Sequence, residues 1–150
     1  MRLVVQRVEK AKVFRQAQDK SWETVGEIGK GFFVLVGFKK GDTEKDAEML
    51  VAKLSKLRVM SDENEKMNLS VGDVNGSMLV VSQFTLHADT SGGNRPSFIN
   101  AEEPKRAKEL YEFFVKKLKE NGLTVETGSF GDYMKIETVL DGPVTIIYSE

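Results

Sequence analysis

The opening of the chain alternates. From Arg2 to Val8, the side chains of Leu3, Val5 and Arg7 fall on one face and those of Val4, Gln6 and Val8 on the other. That is the two-residue period of a strand. Ala11 to Arg15 continues in the same style, and Trp22 to Ile28 is a third candidate strand. Phe32 to Val36 is instead an unbroken apolar run between Gly31 and Gly37. Such a run predicts a central strand covered on both faces.

The period then lengthens. Ala47, Leu50, Val51, Leu54 and Leu57 recur at helical spacing, with Asp42 or Thr43 able to cap the start and Glu44 and Asp46 favourable in the first turn. A second helix begins near Pro104, carries Ala107, Leu110, Tyr111, Phe114 and Leu118 on one stripe, and ends at Asn121-Gly122. Between the helices, Asn75-Gly76 is a tight-turn signal leading into an apolar strand, Met78 to Val81. The last third predicts a strand over Met134 to Val139, a hairpin-like turn at Asp141-Gly142, and a strand over Val144 to Tyr148. Pro143 follows that turn and cannot donate a ladder hydrogen bond, so it belongs at a strand's start or edge. Two separate helices among many strands predict one domain over residues 1–150 of the α/β class. The expected architecture is a sheet, or a barrel-like pair of sheets, with two main helices packed outside.

Composition narrows the chemistry. The chain has no cysteine and one histidine, His87. Disulfides, thiolate catalysis and Cys-ligated zinc are excluded, a multi-histidine metal site cannot be built, and a reducing cytosol is suitable. No apolar run reaches the roughly 18 residues that span a membrane, and the start shows no signal-peptide pattern. A cytoplasmic protein without cofactor or metal is the expectation. Net charge is −1, from 22 basic and 23 acidic residues. Proteins that grip duplex nucleic acid by phosphates are usually basic. An RNA partner would therefore be held locally, as at the end of a strand.

Three segments look unlike scaffold. Ser82-Gln83-Phe84-Thr85-Leu86 follows directly on an apolar strand and offers hydroxyl, amide and backbone N–H groups to an oxyanion; a polar strand face turned to water explains it equally. His87 to Phe98 is Gly-rich with one cation, Arg95, and reads as a phosphate-approaching loop or a plain surface loop. Asp141 to Thr145 contains a Gly-Pro bond whose cis form costs only about 0.5–1 kcal/mol; an ordinary turn is the alternative. A serine-histidine triad is rejected, since His87 lies five residues from Ser82 with no nucleophile elbow. The acidic clusters at 44–48 and 62–65 read as solvated faces. Phe130 and Met134, flanked by Gly128 and Gly131, read as core or as the wall of an apolar pocket.

Taken in order and spacing, these segments carry more. SQFTL at 82–86, GNRPSF at 93–98 and DGPVT at 141–145 resemble the D-aminoacyl-tRNA deacylase family, formerly D-tyrosyl-tRNA deacylases. VVQRV at 4–8, VGEIGKG at 25–31, KGDTEKDAE at 40–48, KMNLS at 66–70 and FGDYM at 130–134 extend the resemblance over nearly the whole chain. The resemblance implies a three-layer β/β/α fold, a homodimer with active sites at the interface, and ester hydrolysis of D-aminoacyl-tRNA, with glycine on tRNA as a further substrate. It maps the chirality filter onto Gly142 and Pro143, a cis pair entering the partner's site, and its support onto Arg7. Ser82, Gln83, Phe84 and Thr85 then line the pocket for the ester and terminal adenosine, with Phe130 and Met134 around the adenine. Gln83 and Thr85 are the candidates for polar assistance to a reaction helped by the substrate's own 2′-hydroxyl. One position departs: the family usually has Asn two residues before the Gly, and here it is Leu140. A proofreading deacylase for a small L-amino acid and a non-catalytic tRNA-end-binding module are the rival readings.

Overall fold

A computed structural model describes residues 1–149. Its strands are β1 (Arg2–Gln16), β2 (Trp22–Ile28), β3 (Gly31–Gly37), β4 (Met60–Ser61), β5 (Met67–Leu69), β6 (Ser77–Ser82), β7 (Thr124–Thr127) and β8 (Met134–Ser149). Its helices are α1 (Glu44–Ser55) and α2 (Pro104–Glu120), and a 3₁₀ turn covers Phe84–His87.

β1 is the spine. Its first half runs antiparallel to β3, from Arg2 opposite Gly37 to Val8 opposite Gly31. Its second half runs antiparallel to β2, from Ala11 opposite Ile28 to Gln16 opposite Trp22. Along its other edge lies β8, from Arg2 opposite Ser149 to Arg15 opposite Met134. The sheet order is β2-β1-β3-β6-β7, with β8 added on β1. β6 is parallel to β3, and β7 to β6.

The bend in β1 makes the layers. Leu3 and Val5 enter the core beneath the helices, with Phe32, Val34, Val36, Met78, Val80, Leu50, Leu54, Leu110 and Phe114. Val8, Ala11 and Val13 enter a second core, inside the folded-over sheet, with Phe33, Leu79 and Val81. β3 and β6 feed alternate side chains to both cores, as strands covered on two faces must. The result is a mixed α/β domain with a nearly closed, barrel-like sheet and two helices outside.

Several expectations are corrected. The segments 2–8 and 11–15 are one strand, not two. The Asp141-Gly142 turn is not a hairpin: β8 runs on through it, and both halves stay on β1. The β1–β8 ladder slips between Gln6 and Val8 and again between Val8 and Lys10. The slip leaves residues 141–144 opposite Arg7 alone, so the feature is a β-bulge. Pro143 therefore sits inside a strand, at the one place where no ladder bond is required. Asn75 does turn the chain, at φ 52°, but β6 then pairs in parallel with β3 rather than back on its predecessor. Thr43, not Asp42, caps α1, since its hydroxyl accepts from Asp46 N–H while the Asp46 carboxylate accepts from Thr43 N–H at 2.8 Å. Asp42 is instead buried, paired with the amino terminus at 2.8 Å and accepting from Lys39 N–H at 2.7 Å. Leu57 lies beyond the end of α1. The short pair β4–β5 and strand β7 carry too few residues to show a period.

Candidate active site

The parallel strands β3, β6 and β7 all end at one edge of the sheet, near Gly37, Ser82 and Thr127. Loops leaving carboxyl ends of parallel strands are where such sheets place their sites. After Ser82, the chain turns sharply. Gln83 N–H donates to Val36 O at 2.8 Å, Leu86 N–H to Gln83 O at 3.3 Å and Ala88 N–H to Thr85 O at 3.0 Å. That turn leaves Phe84 and Thr85 exposed, with Phe84 54% accessible. The solvated-strand alternative for this segment falls away, because the strand stops at Ser82.

Thr85 has a neutral neighbour. The Gln83 side-chain amide donates to Thr85 Oγ1 at 2.5 Å. An amide cannot accept a proton from the hydroxyl near neutral pH, so Gln83 does not activate Thr85 as a nucleophile. His87 is committed elsewhere. Its Nε2–H donates to Gly37 O at 3.0 Å, and burial holds the imidazole below its ordinary value of 6.5. The histidine is a neutral brace between the turn and β3, and no triad forms.

On the adjacent strand end, Gly128 N–H donates to Val80 O at 3.1 Å. A Cβ at Gly128 would sit 3.0 Å from Met134 Sδ and 3.2 Å from Val81 Cγ2, so the glycine lets Met134 lie over β6. Ser129 N–H donates to Met134 Sδ at 3.3 Å. Phe130 meets Tyr111 of α2 with ring centroids 5.7 Å apart. Tyr111 O–H in turn donates to Val80 O at 2.8 Å, and burial pushes its phenol strongly upward. Phe130, Gly128 and Tyr111 line an open groove of about 890 Å³. Ser82 to Thr85 and Gly128 to Met134 thus leave the adjacent ends of the paired strands β6 and β7, while the groove itself lies toward α2. Phe98, from the exposed loop closed by the Asp89–Ser97 bridge, packs edge-on against Phe84 at 5.0 Å.

Gly142 and Pro143 are not part of that cluster. The peptide between them is cis, and both residues are exposed. They lie opposite Arg7, five residues along β1 from the Arg2–Gly37 level where the 82–87 turn begins. Five residues at ~3.3 Å and three strand spacings of ~4.8 Å put them well over 15 Å from Thr85 of the same chain. Arg7 holds them from behind. Its Nε donates to Asp141 O at 3.2 Å and lies 3.1 Å from Asp141 Oδ2, while Nη1 donates to Val59 O at 2.8 Å and Ser61 Oγ at 3.4 Å. Arg7 is 8% exposed. A buried guanidinium needs acceptors of this kind. The roles of Asp141, Val59 and Ser61 escape a reading of the sequence. The usable signal was Arg7 itself, a cation on the same strand face as Leu3 and Val5. Leu140 is 43% exposed and contributes no side-chain hydrogen bond to the bulge.

Residues 4–149 match the family model described as D-Tyr-tRNA(Tyr) deacylase. The chain belongs to that family. It is 54% identical over 147 residues to the D-aminoacyl-tRNA deacylase of Thermotoga petrophila, covering 98% of this chain and 95% of that one. The protein of the same name from Limosilactobacillus reuteri is 53% identical over 148 residues, covering 99% of each. Among solved structures, the c-Myc DNA unwinding element binding protein superposes with a TM-score of 0.91 at 38% identity, over 100% of this chain and 99% of that one. A probable eukaryotic D-amino acid tRNA deacylase shares the fold, with a TM-score of 0.82 at 16% identity and 98% and 97% coverage. Membership of the family makes the chain an enzyme, a hydrolase. Among the described residues, no group of His, Cys, Asp and Glu side chains could hold a metal ion, and no helix is long and apolar enough to cross a membrane.

Proposed function

We propose that this enzyme hydrolyses the ester of D-aminoacyl-tRNA as a homodimer, and that the Gly142–Pro143 bulge of one subunit screens handedness in the site of the other. The observation that carries the reading is the placement of the bulge. It is exposed, held from behind by Arg7 and Asp141, and remote from the 82–87 turn of its own chain. A rigid backbone projection with nothing to act on in its own subunit suits a neighbour's pocket. β8 offers the surface for that neighbour. Among the described residues it pairs only with β1, and Ile136, Val139, Leu140 and Ile147 are exposed along it. Apolar residues on a long edge strand are normally covered by a partner.

In this reading the terminal adenosine lies between Phe130 and Met134 and the ester reaches Ser82 to Thr85. The substrate is an activated ester, so positioning and oxyanion donors are sufficient help. The first N–H groups of a 3₁₀ turn have no partner within it, and one well-aimed donor contributes about 2.7–4 kcal/mol. Gln83 and Thr85 fix one another and position the ribose, whose 2′-hydroxyl assists. The Gly142 and Pro143 carbonyls exclude an L side chain near the α-carbon. Glycine has nothing to exclude and is a further substrate. Arg7 supports the filter through Asp141, and Leu140 adds no side-chain hydrogen bond to it. A cytoplasmic location follows from the substrate.

Decay of D-tyrosyl-tRNA and L-tyrosyl-tRNA, each with and without the protein, tests this directly. The D ester is expected to decay far faster with protein and the L ester at its spontaneous rate. Equal acceleration of both removes the chirality filter and favours the L-amino-acid reading. Acceleration of neither leaves only an RNA-end-binding module.

A further inference from the structure

A basic hollow lies on the other side of the 82–87 turn from Phe130. Its volume is about 360 Å³, and it is lined by Arg2, Lys39, Lys40, His87, Asp89 and Asn100. Its walls are tied down by backbone bonds. Lys40 N–H donates to Asn100 O at 3.0 Å, Glu102 N–H to Phe38 O at 3.0 Å, and Lys39 forms a β-bridge with Ala101.

Three cationic residues and one acidic residue line it. Arg2 Nη1 donates to Leu86 O at 2.6 Å and Nε to Ser149 Oγ at 2.9 Å. Both acceptors are neutral, so the guanidinium is fixed without its charge being cancelled. Arg15, Arg106 and Lys117 instead face carboxylates: Arg15 faces Glu23, Arg106 faces Glu44, and Lys117 faces Glu120 and Glu48. The acidic group on the rim, Asp89, is satisfied by Ser91 N–H at 2.9 Å and Ser91 O–H at 2.7 Å. In a chain of net charge −1, a pinned arginine and two lysines around one hollow stand out. A phosphodiester needs this arrangement: charged N–H donors around a gap that admits a tetrahedral anion.

The geometry points to this hollow as the seat of a phosphodiester of the acceptor strand, on the opposite side of Thr85 from the adenine. It rests on the deacylase reading and adds where the RNA backbone is gripped. Arg2 reaches both the hollow and Leu86 O, so the grip and the ester-binding turn share one side chain.

Two substrates separate the possibilities: intact D-aminoacyl-tRNA, and the D-amino acid ester of adenosine alone, which lacks the phosphates. Lys39→Glu/Lys40→Glu is compared with wild type and with Lys66→Glu near β5. For the tRNA, KM is expected to rise tenfold or more at unchanged kcat. The slope of log(kcat/KM) against log salt should flatten by roughly 0.7 for each phosphate that the variant no longer grips. For the adenosine ester, kcat/KM should stay at the wild-type value, which also shows that the variant is folded. Lys40→Arg should behave as wild type, and Lys66→Glu should alter neither substrate. Wild-type KM for tRNA in the double variant overturns the proposal, as does an equal loss on both substrates in the variant and in Lys40→Glu alone. If the wild-type enzyme cleaves neither substrate, the deacylase reading itself has failed.

Discussion

In the proposed site, Thr85 is assigned a positioning role and no chemical one. Its hydroxyl accepts from a neutral amide at 2.5 Å, and the nearby histidine is turned to Gly37 O. Without a base, the hydroxyl positions rather than attacks. Thr85→Ala should retain hydrolysis of D-aminoacyl-tRNA within about tenfold in single turnover, and a loss of ~10⁴-fold would make it a reacting group. His87 has a different consequence, in stability. Burial, its largest influence, holds its folded-state value below 6.5. The unfolded chain therefore binds more protons as pH falls, so this contribution is fully present above about 6.5 and is lost as pH drops through it toward the lower folded value. Urea midpoints should fall between pH 7 and pH 5, and His87→Gln should flatten that fall.

At the scale of elements, β3 and β6 show why glycine recurs at strand ends. Gly31 opens β3 at φ 155°, and a Cβ there would lie 1.8 Å from Ser77 O. No rotamer relieves a clash between Cβ and backbone. Gly31→Ala should lower stability by about 3 kcal/mol or more. Gly92, in the exposed loop, has nothing within 4 Å of its Cβ position, and Gly92→Ala should fall within about 0.5 kcal/mol of wild type. Chemical denaturation of the two variants side by side checks both values. The bulge in β8 is the other element-scale feature. Buried Arg7 ties it to Val59 and Ser61, at the short β4 strand, so a minor ribbon supports the exposed Gly142–Pro143 backbone.

At the scale of the whole molecule, the two halves of the proposed site lie at different places on one curved sheet. The turn carrying Thr85 is at the carboxyl ends of β3 and β6, while Gly142 and Pro143 project beside Arg7. A single subunit is then incomplete. Ile147, 64% exposed on β8, should be covered in the proposed dimer. Ile147→Lys should shift sedimentation toward the monomer and lower activity at dilute enzyme, with activity partly recovering as concentration rises. A variant that stays dimeric and fully active would place the interface elsewhere.

Much of this architecture was determined by the sequence itself. Two-residue alternation marked β1, the apolar run marked β3, and the 3.6-residue stripes marked both helices, because burial of one face dictates local composition. The motifs at 82–86, 93–98 and 141–145, with five further segments in the same order and spacing, pointed to the family that the chain belongs to. The tertiary structure alone decided that Asp141-Gly142 is a bulge within one strand. Local turn chemistry is the same for a hairpin and a bulge, and only the common partner β1 distinguishes them. It alone also decided the acceptors of Arg7, the bracing of His87 against Gly37, and the convergence of Arg2 with Lys39 and Lys40. Those partners are distant in sequence, and neither period nor propensity records which segments a folded sheet brings together.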